Sequence, residues 1–263
     1  MKKSIIASLA AFLAVFAVAG QASAYFEQGK LVQVVYAETK NEVLTDLGQY
    51  AATGALDLTA QNVQLSAPGS IDYLALTGGA SMADLKLGYY MDNSNVTTYD
   101  MHAYFVTVNP NAPALTTNYT NLINFRNVAD QVSTYAALSG TQTVSHSVAV
   151  SGKSYDILFN SNSGDPGVYG GLNLDTGTGE ANLAALVDPA GYVDMYLYHT
   201  TLNLTNGAVE LVPGATTDYV AVLRLNADGS TTLNPNAVPL PASMLLFGSS
   251  FIGLLGFRRR KRA

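Results

Sequence analysis

The chain has three imidazoles, His102, His146 and His199, and these are the first residues to ask about chemistry. None lies in an HExxH or HxH arrangement, so no local pair of metal-binding imidazoles is encoded. His102 has the richest neighbourhood. In a strand, Asp100, His102 and Tyr104 fall on one face, and a carboxylate and a phenol beside an imidazole could orient it for proton transfer. An ordinary half-exposed sheet presents the same trio, and that reading outweighs the catalytic one. Ser145-His146-Ser147 sits in an alternating Thr/Ser/Val run that reads as strand surface. With no Gly-x-Ser-x-Gly elbow anywhere, a serine hydrolase has no support.

The carboxylates are plentiful but unspecific. Glycoside hydrolysis needs two of them about 5 to 10 Å apart, and 19 acids spread along the chain nominate no particular pair. The chain has no Trp to act as a sugar platform, although 16 tyrosines are available and also make good strands. Asn160-Ser-Asn-Ser-Gly-Asp165 and Asp175-Thr-Gly-Thr-Gly-Glu180 offer several oxygen ligands in tight turns, a setting that suits Ca²⁺. Neither matches the EF-hand spacing, and such turns are usually plain loops. Sequons at Asn95, Asn118 and Asn203 are equally ordinary in a chain rich in Asn and Thr. No catalytic residue, metal ligand or cofactor is therefore nominated, calcium being the one ion these turns would accept.

The elements that would carry these residues read mainly as strands. Leu31–Ala37, Asp72–Thr77, Ala83–Met91, Thr97–Val108, Thr141–Val150, Ser154–Phe159, Gly191–Leu204, Ala208–Val212 and Asp218–Leu225 are β-branched, aromatic or alternating, and Gly, Asn, Asp and Pro punctuate them. Within Ala83–Met91, Leu85, Leu87 and Tyr89 share a face, and the Asp92–Asn95 cluster reads as the turn of a hairpin. Leu122, Phe125, Ala129, Val132 and Ala136 instead follow helical spacing, with Thr120 or Asn121 as cap and Gly140 as stop. A second short helix over 180–187 is left undecided. The expected fold is all-β, a two-layer antiparallel β-sandwich for which a jelly roll is one candidate topology, with one inserted helix near 121–138. A barrel or a solenoid is the alternative.

Charge separates the body from its ends. All 19 acids lie within residues 25–241, against only six of the 13 cations, for a net charge of −13 over that stretch. Such a field repels nucleic acid and anionic membrane surfaces, which removes nucleic-acid binding from consideration. With no cysteine there is no disulfide framework and no thiol chemistry, so packing alone must hold the body.

Both ends carry export features. Met1-Lys-Lys3, an apolar run from Ile5 to Ala19 and the small residues Ala22-Ser-Ala24 read as a signal peptide over 1–24, cut after Ala24 by signal peptidase. The body is expected over 25–232, followed by a Pro-bearing extended spacer with the motif over 233–241. The segment 242–263 contains an uncharged run, Met244 to Phe257, that makes a helix of about 21 Å. That length falls short of a hydrocarbon core of about 30 Å. Arg258, Arg259, Arg260, Lys261 and Arg262 then hold the C-terminal end on the cytoplasmic side.

This order of motif, short apolar helix and cationic cluster resembles the PEP-CTERM sorting domain of bacterial surface and matrix proteins. Val238-Pro239-Leu240-Pro241-Ala242 is similar to its Val-Pro-Leu-Pro-Ala variant, with Leu240 where the usual motif has Glu. The resemblance covers about a tenth of the chain. It implies a transient inner-membrane anchor, processing by an exosortase near the motif, and delivery to the outer surface or a polysaccharide-rich extracellular matrix such as a biofilm. The expected role there is structural or adhesive and not enzymatic. A calcium- or glycan-binding module and an extracellular glycoside hydrolase are the rival readings for the body.

Overall fold

The computed structural model describes residues 25–26, 29–37, 41–49, 57–77, 81–95, 100–108, 119–147, 154–159, 179–187, 191–203, 205, 209–212 and 217–236. They form one curled antiparallel sheet of eleven strands with few helices. The strands are β1 (Lys30–Ala37), β2 (Asn41–Gln49), β3 (Val63–Gln64), β4 (Leu85–Asn95), β5 (Asp100–Thr107), β6 (Thr143–Ser147), β7 (Ala181–Asn182), β8 (Tyr192–Leu202), β9 (Val209–Val212), β10 (Ala221–Asn226) and β11 (Thr231–Leu233). Their order is β3-β11-β10-β8-β5-β4-β1-β2-β6, with β7 beside β4 and β9 beside β8. The helices are α1 (Tyr73–Thr77), α2 (Tyr119–Ala137) and α3 (Tyr155–Phe159), with short 3-10 turns at Met82–Asp84 and Leu183–Val187.

A single curled sheet replaces the expected two-layer sandwich, and β4 is the reason. Its first half, Leu85 to Tyr90, pairs with β1, and its second half, Met91 to Asn95, pairs with β5, so one strand joins what would otherwise be separate layers. The Asp92–Asn95 cluster expected to turn the chain is part of that strand. Curling brings β1 and β11 together although four strands separate them: Gln33 Nε2 donates to Thr231 Oγ1 at 2.6 Å and to Tyr89 Oη at 2.8 Å. Alternation then splits the core. Leu31, Val35, Leu85, Leu87, Tyr89, Leu197 and Leu223 fill the concave side. Val32, Val34, Tyr36, Leu44, Tyr90 and Phe105 face the convex side. Burial raises the pKa of the Tyr89 and Tyr90 phenols, so both stay neutral in the folded chain.

Helix α2 covers that convex side as its spacing predicts. Phe125, Ala129, Val132 and Ala136 are all buried in the outer cluster, and Phe125 meets Phe105 edge-on at 4.6 Å. Two segments read as strands are helices instead. For Asp72–Thr77 the structure gives α1, where Asp72 Oδ1 accepts from Ala75 N at 3.0 Å. For Ser154–Phe159 it gives α3, whose first N–H groups are met by a carboxylate on another strand: Tyr155 N and Asp156 N donate to the two oxygens of Glu42 at 3.0 and 3.2 Å. A negative charge there also suits the positive end of the short helix.

Candidate sorting tail and the two exits from the body

The sequence-predicted chemistry of the body disperses in three dimensions. His102 and His199 lie on adjacent strands, His102 in register with Thr201 and His199 with Tyr104. The Tyr104 and His199 rings stack at 4.4 Å with planes 3° apart. His146 is on edge strand β6, in register with Glu42 and separated from β5 by β4, β1 and β2. Among the described residues no three His, Asp or Glu side chains are grouped to hold a metal ion. Of the two calcium-type turns, Asn160–Asp165 and the first residues of Asp175–Glu180 lie outside the described residues. Glu180 itself is enclosed, 1% exposed, and accepts from the Tyr36 hydroxyl at 2.8 Å. It is a core carboxylate. Glu42 and Asp156 are buried as well; Glu42 caps the N-terminus of α3 and Glu180 satisfies a buried phenol.

The tail's own residues, Val238 to Ala242, Met244 to Phe257 and Arg258 to Arg262, lie outside the described residues, as do Ala22 and Ala24. Among the described residues no helix is long and apolar enough to cross a membrane. The structure does show how the body holds the chain where each end leaves it.

At the start, Asp46 on β2 collects three partners. Its Oδ2 accepts from Phe26 N at 3.0 Å and lies 3.4 Å from Lys30 Nζ, and its Oδ1 accepts from Gly48 N at 2.8 Å. Phe26, held at φ 60°, is buried in the convex cluster, so the folded body begins almost at once after the predicted cleavage point.

At the other end Asn234 is a clamp that sequence reading missed. Its Nδ2 donates to Leu58 O at 2.7 Å and Ala60 O at 2.9 Å, and its Oδ1 accepts from Val222 N at 2.8 Å. Its backbone N–H donates to Val222 O and its carbonyl accepts from Asn62 N. Such a residue needs φ near +43°, a conformation Asn tolerates better than most residues. Leu233, the first residue of the expected spacer, is fully buried as the last residue of β11. Replacing Asn234 with alanine strands two carbonyls and one amide and gives up the favoured φ. A loss of about 2 kcal/mol is expected in urea unfolding of the chain, against no loss if the clamp is idle.

No curated protein and no solved structure matches the chain. A family model described as the PEP-CTERM protein-sorting motif matches residues 237–261, which takes in the Pro-bracketed segment, the whole apolar run and the cationic cluster as far as Lys261. The chain thus ends in the sorting motif of a PEP-CTERM protein.

Proposed function

We propose that the chain is exported, held briefly in the inner membrane by residues 244–257, and cut near Ala242 by an exosortase that reads Pro239 to Pro241. The released body then takes a structural or adhesive part in a polysaccharide-rich outer layer. The observation that carries this reading is the motif match over 237–261. The body's charge agrees with it, since a net −13 over residues 25–241 favours a soluble product once the cationic tail is gone. An end pinned by Asp46 and another pinned by Asn234 suit a body that folds independently of segments removed during processing.

Cell fractionation tests this reading. With an exosortase co-expressed, the chain is expected in the extracellular layer; without one, it accumulates in the inner membrane. Recovery from the cytoplasm, or the same distribution in both hosts, contradicts the proposal.

A further inference from the structure

The convex face of the sheet is covered unevenly. Helices α2 and α3 pack over β1, β4 and β5, whereas among the described residues no helix lies over β8, β10 and β11. Along β8 the inward residues Val193, Met195 and Leu197 are buried, and the outward ones between them, Tyr192, Asp194 and Tyr196, are half-exposed. Register places Asn226, Arg224 and Val222 of β10 directly opposite these three.

Packing makes this face rigid. Arg224 Nε and Nη2 each donate to an Asp194 carboxylate oxygen at 2.6 Å, a two-pronged pairing of fixed geometry. The Tyr192 ring lies on the guanidinium, its centroid 3.7 Å from Cζ. Tyr196 and Tyr219 sit together at 5.0 Å with rings tilted by 56°. Asn226 Nδ2 donates to Ser230 Oγ at 3.1 Å and Thr232 Oγ1 at 3.2 Å, which fixes the polar border on the β11 side.

We propose that this outer face of β8, β10 and β11, built on Tyr192, Asp194, Tyr196, Tyr219 and Arg224, binds a neutral polysaccharide. The inference rests on the reading that the body ends in a polysaccharide-rich layer, and names the surface that would hold it there. The chemistry selects the ligand. Tyrosine rings offer apolar faces to sugar C–H groups, and their hydroxyls, with the uncommitted lone pairs of Asp194, offer hydrogen bonds to sugar hydroxyls. The one cation on this face among the described residues, Arg224, is already neutralised by Asp194, so no unpaired cation is described there to draw a polyanion, and the acidic body repels one. Tyr192 and Tyr196 stand about 13 Å apart along the strand, so an extended oligosaccharide of a few units would touch both. The three tyrosines present their area with little side-chain entropy to lose on binding.

Affinity electrophoresis of the full-length chain in detergent tests the proposal, using gels that contain hydroxyethylcellulose or galactomannan as neutral polymers and alginate as the anionic control. Retardation is expected in at least one neutral gel and not in alginate. Tyr192→Ala and Tyr196→Ala should each weaken it about tenfold, and Tyr192→Phe should keep most of it. Tyr219→Ala, outside the strands, gives a variant that leaves sheet pairing untouched, and each variant's thermal midpoint shows that it is folded. No retardation in either neutral gel, retardation by alginate alone, or folded tyrosine variants that migrate like the parent overturn the proposal. A parent chain found in the extracellular layer yet unretarded defeats this inference alone. A parent that is retarded but absent from the layer defeats the functional reading instead.

Discussion

Alanine at both Pro239 and Pro241 is expected to leave the chain uncut and held in the inner membrane. Proline fixes φ near −65°, lacks an N–H, and pushes the residue before it into extended backbone, so Val238 and Leu240 are biased toward an extended conformation. Proline would also disfavour any helix over the apolar run that extended backward through the motif. Each interior proline costs a helix about 3 kcal/mol, and each 1.4 kcal/mol is tenfold in an equilibrium. Removing both is therefore expected to shift the balance at residues 239–241 from extended backbone toward helix by about ten-thousandfold. An immunoblot of the membrane fraction checks this: the larger, uncut species should predominate in the variant and the shorter one in the parent. Equal processing of both would mean that the prolines are not what the exosortase reads.

Gly88→Ala is expected to destabilise the body although it adds only one methyl group. On intrinsic preference alone it should help, because glycine weakens strand interiors. Gly88 sits on β4 in register with Val34, and a Cβ built there would run into the Tyr155 phenol oxygen and ring. Tyr155 has little room to yield. Its ring lies 4.6 Å from Phe159, 5.6 Å from Tyr36 and 6.1 Å from Tyr90, and its backbone N–H is held by Glu42. Overpacking a core of this kind typically costs about 1–3 kcal/mol, occasionally more, and here the upper end is expected. Adding Tyr155→Phe removes the oxygen that collides first and should restore part of the loss, so the two substitutions are non-additive. Urea midpoints of the two single variants and the double variant measure this. A neutral Gly88→Ala would contradict the packing of α3 against β4.

Much of this was legible because some signals are local. The helix was readable from Phe125, Ala129, Val132 and Ala136, whose spacing is set by one helix lying on one apolar surface. The face shared by Leu85, Leu87 and Tyr89 was readable for the same reason at period two. The tail was readable because charge, apolar length and paired prolines follow one another directly in sequence. Strand β2 was missed because Glu42, Thr45 and Asp46 look like surface residues, and only distant partners, at Tyr155, Thr143 and Phe26, explain their burial. α3 was misread because a five-residue segment with one charge fits strand and helix equally, and the carboxylate that caps its N-terminus comes from another strand. Curled sheet and sandwich could not be told apart, since both demand the same inside-outside alternation and differ only in whether β4 pairs on into β5. Asn234 gave no sign because its partners Leu58, Ala60 and Val222 are supplied by the fold.

The central claim is that the tail over 237–261 is a temporary anchor, cut away once it has been read. Mass spectrometry of the mature chain, recovered from outside cells that carry an exosortase, tests it most directly. A C-terminus near Ala242, lacking Met244 to Phe257 and the cationic cluster, is the predicted result. A mature chain that still ends in Arg258 to Arg262 would contradict the account.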